Sequence, residues 1–189
     1  MVRNIMIVGV GGQGSLLASK LLGRLLLDAG YDVKVSEVHG MSQRGGSVVT
    51  YVRYGDKVYS PVIDKGEADF IVSFEQLEAV RWLEYLAPGG VIVTNEQKID
   101  PMPVITGAAE YPEGILEAAR AKGVKVDSMD ALSIAEKAGS SKAVNIALMG
   151  RLSKYFPFDN ETWLRAIEAC VPPKFLELNV RAFELGRAE

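Results

Sequence analysis

Asn4-Ile5-Met6-Ile7-Val8-Gly9-Val10-Gly11-Gly12-Gln13-Gly14-Ser15 opens the chain, and its reading decides the fold. Asn4 to Val8 is a short, mostly apolar run of the kind that forms a buried strand. The glycines mark a tight turn. From Ser15 to Ala29, leucines surround a polar stripe of Lys20, Arg24 and Asp28. That spacing predicts a helix covered on more than one side, with Gly30 placed to end it. Asp32 to Glu37 reads as the second strand. Strand, glycine turn, helix and strand make a βαβ opening.

The next step departs from a standard nucleotide-binding fold, because no helix pattern follows the second strand. Ser47 to Tyr54 alternates as a strand, with Val48, Thr50, Val52 and Tyr54 on one face. Gly55-Asp56 reads as a hairpin turn and Lys57 to Val62 as its return strand. Ala68 to Ser73 restores the α/β rhythm. Ser73 and Gln76 have capping-box spacing for a helix running to about Leu86, stopped by Pro88-Gly89-Gly90. Val91 to Thr94 is a strand, Val104 to Thr106 a short extended piece within a proline-rich loop, Glu113 to Lys122 a helix and Val124 to Asp127 a strand. Helices follow at about 130–138, 142–155, 160–170 and 173–185, with Gly139 and Gly186 as stops. The expected fold is α/β: one domain over 1–189, a three-layer Rossmann-like, mostly parallel sheet with a β-hairpin insertion and a helical C-terminal part.

Composition narrows the function. The chain has 189 residues and a formal net charge of −3, so it lacks the basic excess that a nucleic-acid phosphate backbone requires. The best apolar run, Leu16 to Leu27, is interrupted by Lys20 and Arg24, so no membrane span is expected. The N-terminus leads into a strand without a signal-peptide pattern, and a cytoplasmic location is the reading. A single cysteine, Cys170, and a single histidine, His39, cannot form a disulfide, a zinc-finger set or a cysteine-ligated iron–sulfur cluster. Cys170 reads as a core residue.

Two glycine clusters carry the candidate chemistry. Gly9-x-Gly11-x-x-Gly14 has the spacing of a dinucleotide fingerprint, and Glu37 stands where a ribose-binding acid would. Backbone amides at a helix N-terminus can approach a pyrophosphate there, yet the same glycines also serve any tight strand-to-helix turn. The second cluster is Glu37-Val38-His39-Gly40-Met41-Ser42-Gln43-Arg44-Gly45-Gly46. His39 could act as a general acid or base, or could pin its own loop. Arg44 could hold a phosphate or carboxylate, or anchor the loop to a partner chain. Ser42 lacks the context of a nucleophile elbow. In a parallel sheet the two loops would share one floor beyond the strands' carboxyl ends, where such folds bind ligands. The candidate binding residues are therefore Gly9, Gly11, Gly12, Gln13, Gly14, Glu37, His39, Gly40, Ser42, Gln43, Arg44 and Gly45, with no catalytic or metal-ligating residue assigned. Asn145 and Asn179 lie on apolar helix faces, where a buried amide needs partners. Each is expected to tie down backbone.

The cluster GVGGQG, the block EVHGMSQRGGSV, the segment ADFIVSFEQLEAVRWLEYLAPGGVIVTN and the ending VPPKFLELNVRAFELG together resemble the small-subunit family of the 2-oxoacid:ferredoxin oxidoreductases. This family is equivalent to the gamma subunit of the pyruvate enzyme, and the nearest likeness is to the indolepyruvate type. The resemblance covers about Asn4 to Gly186. It implies a partner, a large (alpha) subunit carrying thiamine diphosphate, magnesium and iron–sulfur clusters. The assembled enzyme would decarboxylate a 2-oxoacid oxidatively with coenzyme A and reduce ferredoxin. For the indolepyruvate type the substrates are aryl pyruvates; pyruvate and 2-oxoglutarate are the alternatives. No cofactor is assigned to this chain: it lacks a cysteine set, and Gly55-Asp56-Lys57 fails as a diphosphate-metal motif at its third position. The loops 9–14 and 39–46 would shape the coenzyme A side of the site. An isolated copy, with its interface uncovered, could form a homodimer. The alternative from another class is a stand-alone NAD(P)-binding Rossmann protein.

Overall fold

A computed structural model describes residues 1–37 and 45–189 of the chain. Its strands are β1 (Arg3–Val10), β2 (Asp32–Glu37), β3 (Ser47–Gly55), β4 (Ala68–Ser73), β5 (Leu86–Asn95) and β6 (Lys125–Met129). They form one sheet in the order β2-β3-β1-β4-β5-β6. β1, β4, β5 and β6 pair in parallel, and β3 is antiparallel to both neighbours, β1 and β2. β2 therefore points the same way as β1, giving the mostly parallel sheet that was expected.

Helices cover both faces. They are α1 (Ser15–Asp28), α2 (Gln76–Arg81), α3 (Met102–Ile105), α4 (Ile115–Ala121), α5 (Ala131–Ala138), α6 (Val144–Leu152), α7 (Asn160–Cys170) and α8 (Leu176–Ala188). Alternation along the strands divides the core. Ile5, Ile7, Val52, Val72 and Val93 turn toward α1 and α5 to α8, meeting Leu22, Ile146, Trp163 and Phe183. Met6, Val8, Val49, Ile71 and Ile92 turn the other way and meet Ala79 of α2 and Leu116 of α4. The three layers follow from this two-sided burial of a period-two pattern.

Several local expectations are corrected. Lys57 to Val62 is not a strand. Because β3 lies between β1 and β2, both its edges are already paired, and a return strand has no ladder to join. The hairpin instead consists of β2 and β3. Residues 57–62 are satisfied by side chains: Arg53 Nη1 donates to the carbonyls of Ser60 (3.2 Å) and Val62 (2.6 Å), and Val58 N donates to Asp32 Oδ2 (2.9 Å). Gly55 serves close approach, since a Cβ there would sit 2.6 Å from the Met1 carbonyl oxygen.

Ser73 does not cap the next helix. Its hydroxyl donates to the Glu75 carbonyl, and Glu75 is the cap, accepting from Glu78 N at 2.8 Å. The helical region ends in a 3-10 turn at Leu83–Tyr85, and β5 begins at Leu86 and carries Pro88-Gly89-Gly90 within it. Residues 102–105 are helical, because Pro101 and Pro103 fit a first turn, where no proline N–H is missed.

Gly186 is not a stop, for α8 continues to Ala188. A Cβ at Gly186 would lie 2.0 Å from the Ala147 carbonyl oxygen, and one at Gly150 would lie 2.2 Å from that of Phe183. The glycines thus let α6 and α8 touch backbone to backbone. Cys170 ends α7 half-buried rather than in the core; its thiol lies 3.8 Å from the Lys20 carbonyl, and burial raises its pKa. Among the described residues no helix is long and apolar enough to cross a membrane.

Candidate functional site

β1 delivers the first glycine loop to the carboxyl edge of the sheet. There the connection from β1 leads to α1 on one face and that from β4 to α2 on the other, so the crevice between them is open to a ligand. The loop's shape is set by two side-chain amides. Gln13 folds back so that its Oε1 accepts from Val10 N (2.7 Å) and its Nε2 donates to the Phe74 carbonyl (3.0 Å). Gly9 makes room for this, because a Cβ would lie 2.8 Å from Gln13 Oε1. Asn145 Nδ2 donates to the Gly14 carbonyl (3.1 Å), and its Oδ1 accepts from Ile146 N (2.9 Å). Gly14 has a φ of +87°, and a Cβ there would meet Asn145 Nδ2 at 2.5 Å. Two fingerprint glycines therefore accommodate amides of their own chain. Gly12, with a φ of +102°, faces open space.

The second glycine cluster joins the first where it is described. Gly11 N donates to the Gly46 carbonyl (2.9 Å) and Gly45 N to that of Gly11 (3.3 Å). The expected shared floor is present at Gly11, Gly45 and Gly46. His39, Gly40, Ser42, Gln43 and Arg44 lie outside the described residues. Glu37 turns toward α1, accepting from Ser19 Oγ at 2.7 Å. With β3 inserted, β2 stands two strand spacings, about 10 Å, from β1. In a dinucleotide fold those strands are neighbours and the acid reaches the ribose.

Two clefts flank this floor. The larger, about 540 Å³, lies between Gly12–Gly14 and the segment Ser141 to Val144, with Gln97, Ile99 and Leu132 completing the wall. Lys142 supplies a cation at its rim. α1 begins here with no side-chain cap and no acidic residue in its first turn, so the positive end of its dipole is not offset. The smaller cleft, about 330 Å³, is lined by Gly45 to Ser47, Glu75, Glu78, Arg81 and residues 99–103.

Under the second cleft lie two buried carboxylates, Glu75 and Glu78. Glu75 accepts from Tyr111 Oη, from Ile99 N (3.2 Å) and from Glu78 N (2.8 Å). Burial, and next the hydrogen bond to Glu75, push the Tyr111 phenol far above its ordinary pKa. Glu78 accepts from Ser47 Oγ and from Arg81 Nε (2.9 Å), fastening the described end of the second loop to α2. The Ser47–Glu78 contact holds the loop in place, the Glu75 contacts tie the start of α2 to Ile99 and Tyr111, and both carboxylates are partnered.

A family model described as pyruvate ferredoxin/flavodoxin oxidoreductase matches residues 4–189. The chain belongs to this family. Indolepyruvate oxidoreductase subunit IorB of Thermococcus kodakarensis is 47% identical over 190 residues, covering 97% of this chain and 93% of the relative. The crystal structure of pyruvate oxidoreductase subunit PORC from Thermotoga maritima shares the fold, with a TM-score of 0.76 at 23% identity, covering 100% of this chain and 96% of that one. A 2-oxoglutarate:ferredoxin oxidoreductase from Magnetococcus marinus, solved with 2-oxoglutarate, coenzyme A and succinyl-CoA bound, matches with a TM-score of 0.73 at 22% identity; this chain, 99% covered, corresponds to 30% of that one. The oxidoreductase family indicated by GVGGQG and EVHGMSQRGG is thus the chain's own, and its part is that of a subunit.

The family's iron–sulfur clusters do not fit the residues of this subunit. It has one cysteine. Asp56, the acid of Gly55-Asp56-Lys57, binds the N-terminal ammonium at 2.9 Å. Among the described residues no three His, Cys, Asp or Glu side chains are grouped to hold a metal ion. Of the site's residues, Lys142, Glu75, Glu78 and Tyr111 were not singled out from the sequence. Their places depend on how distant segments meet, and only the paired acids of Phe74-Glu75-Gln76-Leu77-Glu78 offered a local signal.

Proposed function

We propose that this chain is the small subunit of a cytoplasmic indolepyruvate-type 2-oxoacid:ferredoxin oxidoreductase, and that the cleft between Gly12–Gly14 and Lys142 receives coenzyme A. A large partner subunit would hold thiamine diphosphate, magnesium and the iron–sulfur clusters. The reaction breaks the bond between the carboxylate and the oxo carbon, releasing carbon dioxide. The acyl carbon forms a thioester with the coenzyme A sulfur, whose thiol proton is released, and the two electrons left over pass to ferredoxin. Substrate class rests on the likeness to the IorB subunits.

The observation that carries the coenzyme A reading is the chemistry of the larger cleft. Coenzyme A is an anionic pyrophosphate joined to a long, largely apolar arm. The open backbone at Gly12, the uncapped start of α1 and the Lys142 ammonium suit the phosphates. Ile99, Leu132 and Val144 suit the arm. The displacement of Glu37 from β1 disfavours the stand-alone NAD(P) reading. Arg44 belongs to the same proposal as a phosphate or inter-subunit contact.

Steady-state kinetics of the assembled enzyme test this. Lys142→Ala is expected to raise the KM for coenzyme A about tenfold, the cost of one charge-assisted contact, with the KM for indolepyruvate unchanged. An unchanged KM for coenzyme A in both Lys142→Ala and Arg44→Ala would remove the cleft from the reaction. Higher kcat/KM for pyruvate or 2-oxoglutarate than for indolepyruvate would overturn the assignment of substrate. Gel filtration of the isolated chain distinguishes a homodimer from a monomer.

A further inference from the structure

The walls of the larger cleft are joined by three side-chain amides, those of Asn95 and Asn145 buried and that of Gln13 partly buried. Gln13 links the glycine loop to the Phe74 carbonyl at the end of β4. Asn95, 1% exposed at the end of β5, donates to that same carbonyl at 3.2 Å, and its Oδ1 accepts from Ala131 N at 3.1 Å, fixing the start of α5 beside Leu132. Its Nδ2 also lies 3.3 Å from Gln97 Oε1, on the cleft wall. Asn145, 4% exposed, closes the circuit from α6 back to Gly14. None of the three amides is oriented to offer its whole hydrogen-bonding capacity to a ligand, because each has its oxygen and nitrogen engaged with the chain.

We propose that Gln13, Asn95 and Asn145 are positioning residues that together set the width of the coenzyme A cleft, and that Gln13 acts in this way rather than as a ligand contact. The inference rests on the coenzyme A reading above. Its physical basis is that the 3-10 turn Ser141–Ala143 and the start of α6 place Lys142 and Val144 on one wall, while the opposite wall is a glycine loop whose side-chain ties are those of Gln13 and Asn145. An amide has the donor and acceptor needed to join two backbones at fixed distance, and a buried one is costly to leave unmatched. Removing Asn145 would leave the Gly14 carbonyl to Leu17 N and Ala18 N of α1 alone, cutting the tie from α6 so that the loop and Lys142 move relative to each other. Chemistry on the partner subunit would be untouched.

The test is kinetics of the assembled enzyme with Asn145→Ala, Asn145→Asp and Gln13→Met, with Lys142→Ala alongside. Asn145→Asp removes the donor to Gly14 but places an acid in the first turn of α6, where the helix dipole favours it, so one variant keeps its helix if the other fails to fold. The expected result is a five- to tenfold rise in the KM for coenzyme A, about one lost hydrogen bond, with kcat and the KM for the 2-oxoacid within about twofold. If Lys142→Ala raises that KM and the amide variants only lower Tm, the amides are structural: this inference falls and the coenzyme A reading stands. If the amide variants raise it and Lys142→Ala does not, the inference stands and the role of the lysine falls. If neither raises it, both fall.

Discussion

Gly186→Ala should be among the most damaging single-methyl additions in the chain, and its cost can be worked from geometry. The added Cβ would lie 2.0 Å from the Ala147 carbonyl oxygen, 2.7 Å from its carbonyl carbon and 3.0 Å from its Cα. All three atoms are helix backbone, so no rotamer change relieves the collision. α6 and α8 would have to separate by more than about 1 Å, against a core that is close-packed through Met149 and Phe183. Overpacking of this kind costs about 3 kcal/mol. For a chain of this size each kcal/mol lowers Tm by about 2–4 °C, giving an expected fall of about 6–12 °C by scanning calorimetry. Because α6 begins beside Lys142 and contains Asn145, the surviving folded enzyme should also bind coenzyme A more weakly. A Tm within about 2 °C of the parent would refute the backbone contact and the packing derived from it.

Glu78→Ala leaves Ser47 Oγ and Arg81 Nε without their acceptor and should cost about 2 kcal/mol in urea denaturation; no loss would show that the carboxylate does not fasten the loop to α2. Asp32 is held at a pKa of about 2, first by the hydrogen bond from Lys34 and then by that from Val58 N. Its folded pKa lies below the unfolded value of about 3.9, so its stabilisation is complete above that pH and disappears as pH falls toward about 2. Asp32→Asn should therefore be less stable than the parent at pH 6, with the gap closing between pH about 4 and about 2; a gap that stays constant over that range would contradict the assignment.

Much of the fold was legible because burial imposes a period. β2 and β4 have the expected bounds, Asp32–Glu37 and Ala68–Ser73, β4 because its apolar run is dense and β2 because Val33 and Val35 alternate with polar residues just beyond Gly30. The hairpin was misplaced because alternation in Ser47 to Gly55 reveals which face is buried and says nothing of which neighbour takes each edge. Edge pairing depends on β1, whose residues lie 37 (Val10↔Ser47) to 51 (Arg3↔Tyr54) positions away in sequence. Gly186 shows a similar ambiguity. A glycine near a helix end can supply a left-handed residue or a close crossing, and only the contact with Ala147 decides between them.

The candidate site was legible to the same degree. The glycine floor could be located from two loops that follow strands, and Asn145 could be read as a backbone tie from its apolar surroundings. The meaning of the fingerprint was not accessible from spacing. Gly9 and Gly14 are required by Gln13 and Asn145, contacts that span from three to more than a hundred positions. Lys142 carries no motif at all; it reaches the cleft because α5 and α6 return across the sheet.

The most direct test of this chain as a coenzyme A-binding subunit is anaerobic purification of the tagged chain from cells that also express the large subunit, followed by assay of indolepyruvate-dependent ferredoxin reduction over a range of coenzyme A. The expected result is a complex whose reduction rate saturates with coenzyme A, and whose KM for it rises in Lys142→Ala and Asn145→Asp alike. A chain that elutes alone and binds NADH, or a complex whose coenzyme A dependence ignores both substitutions, would contradict it.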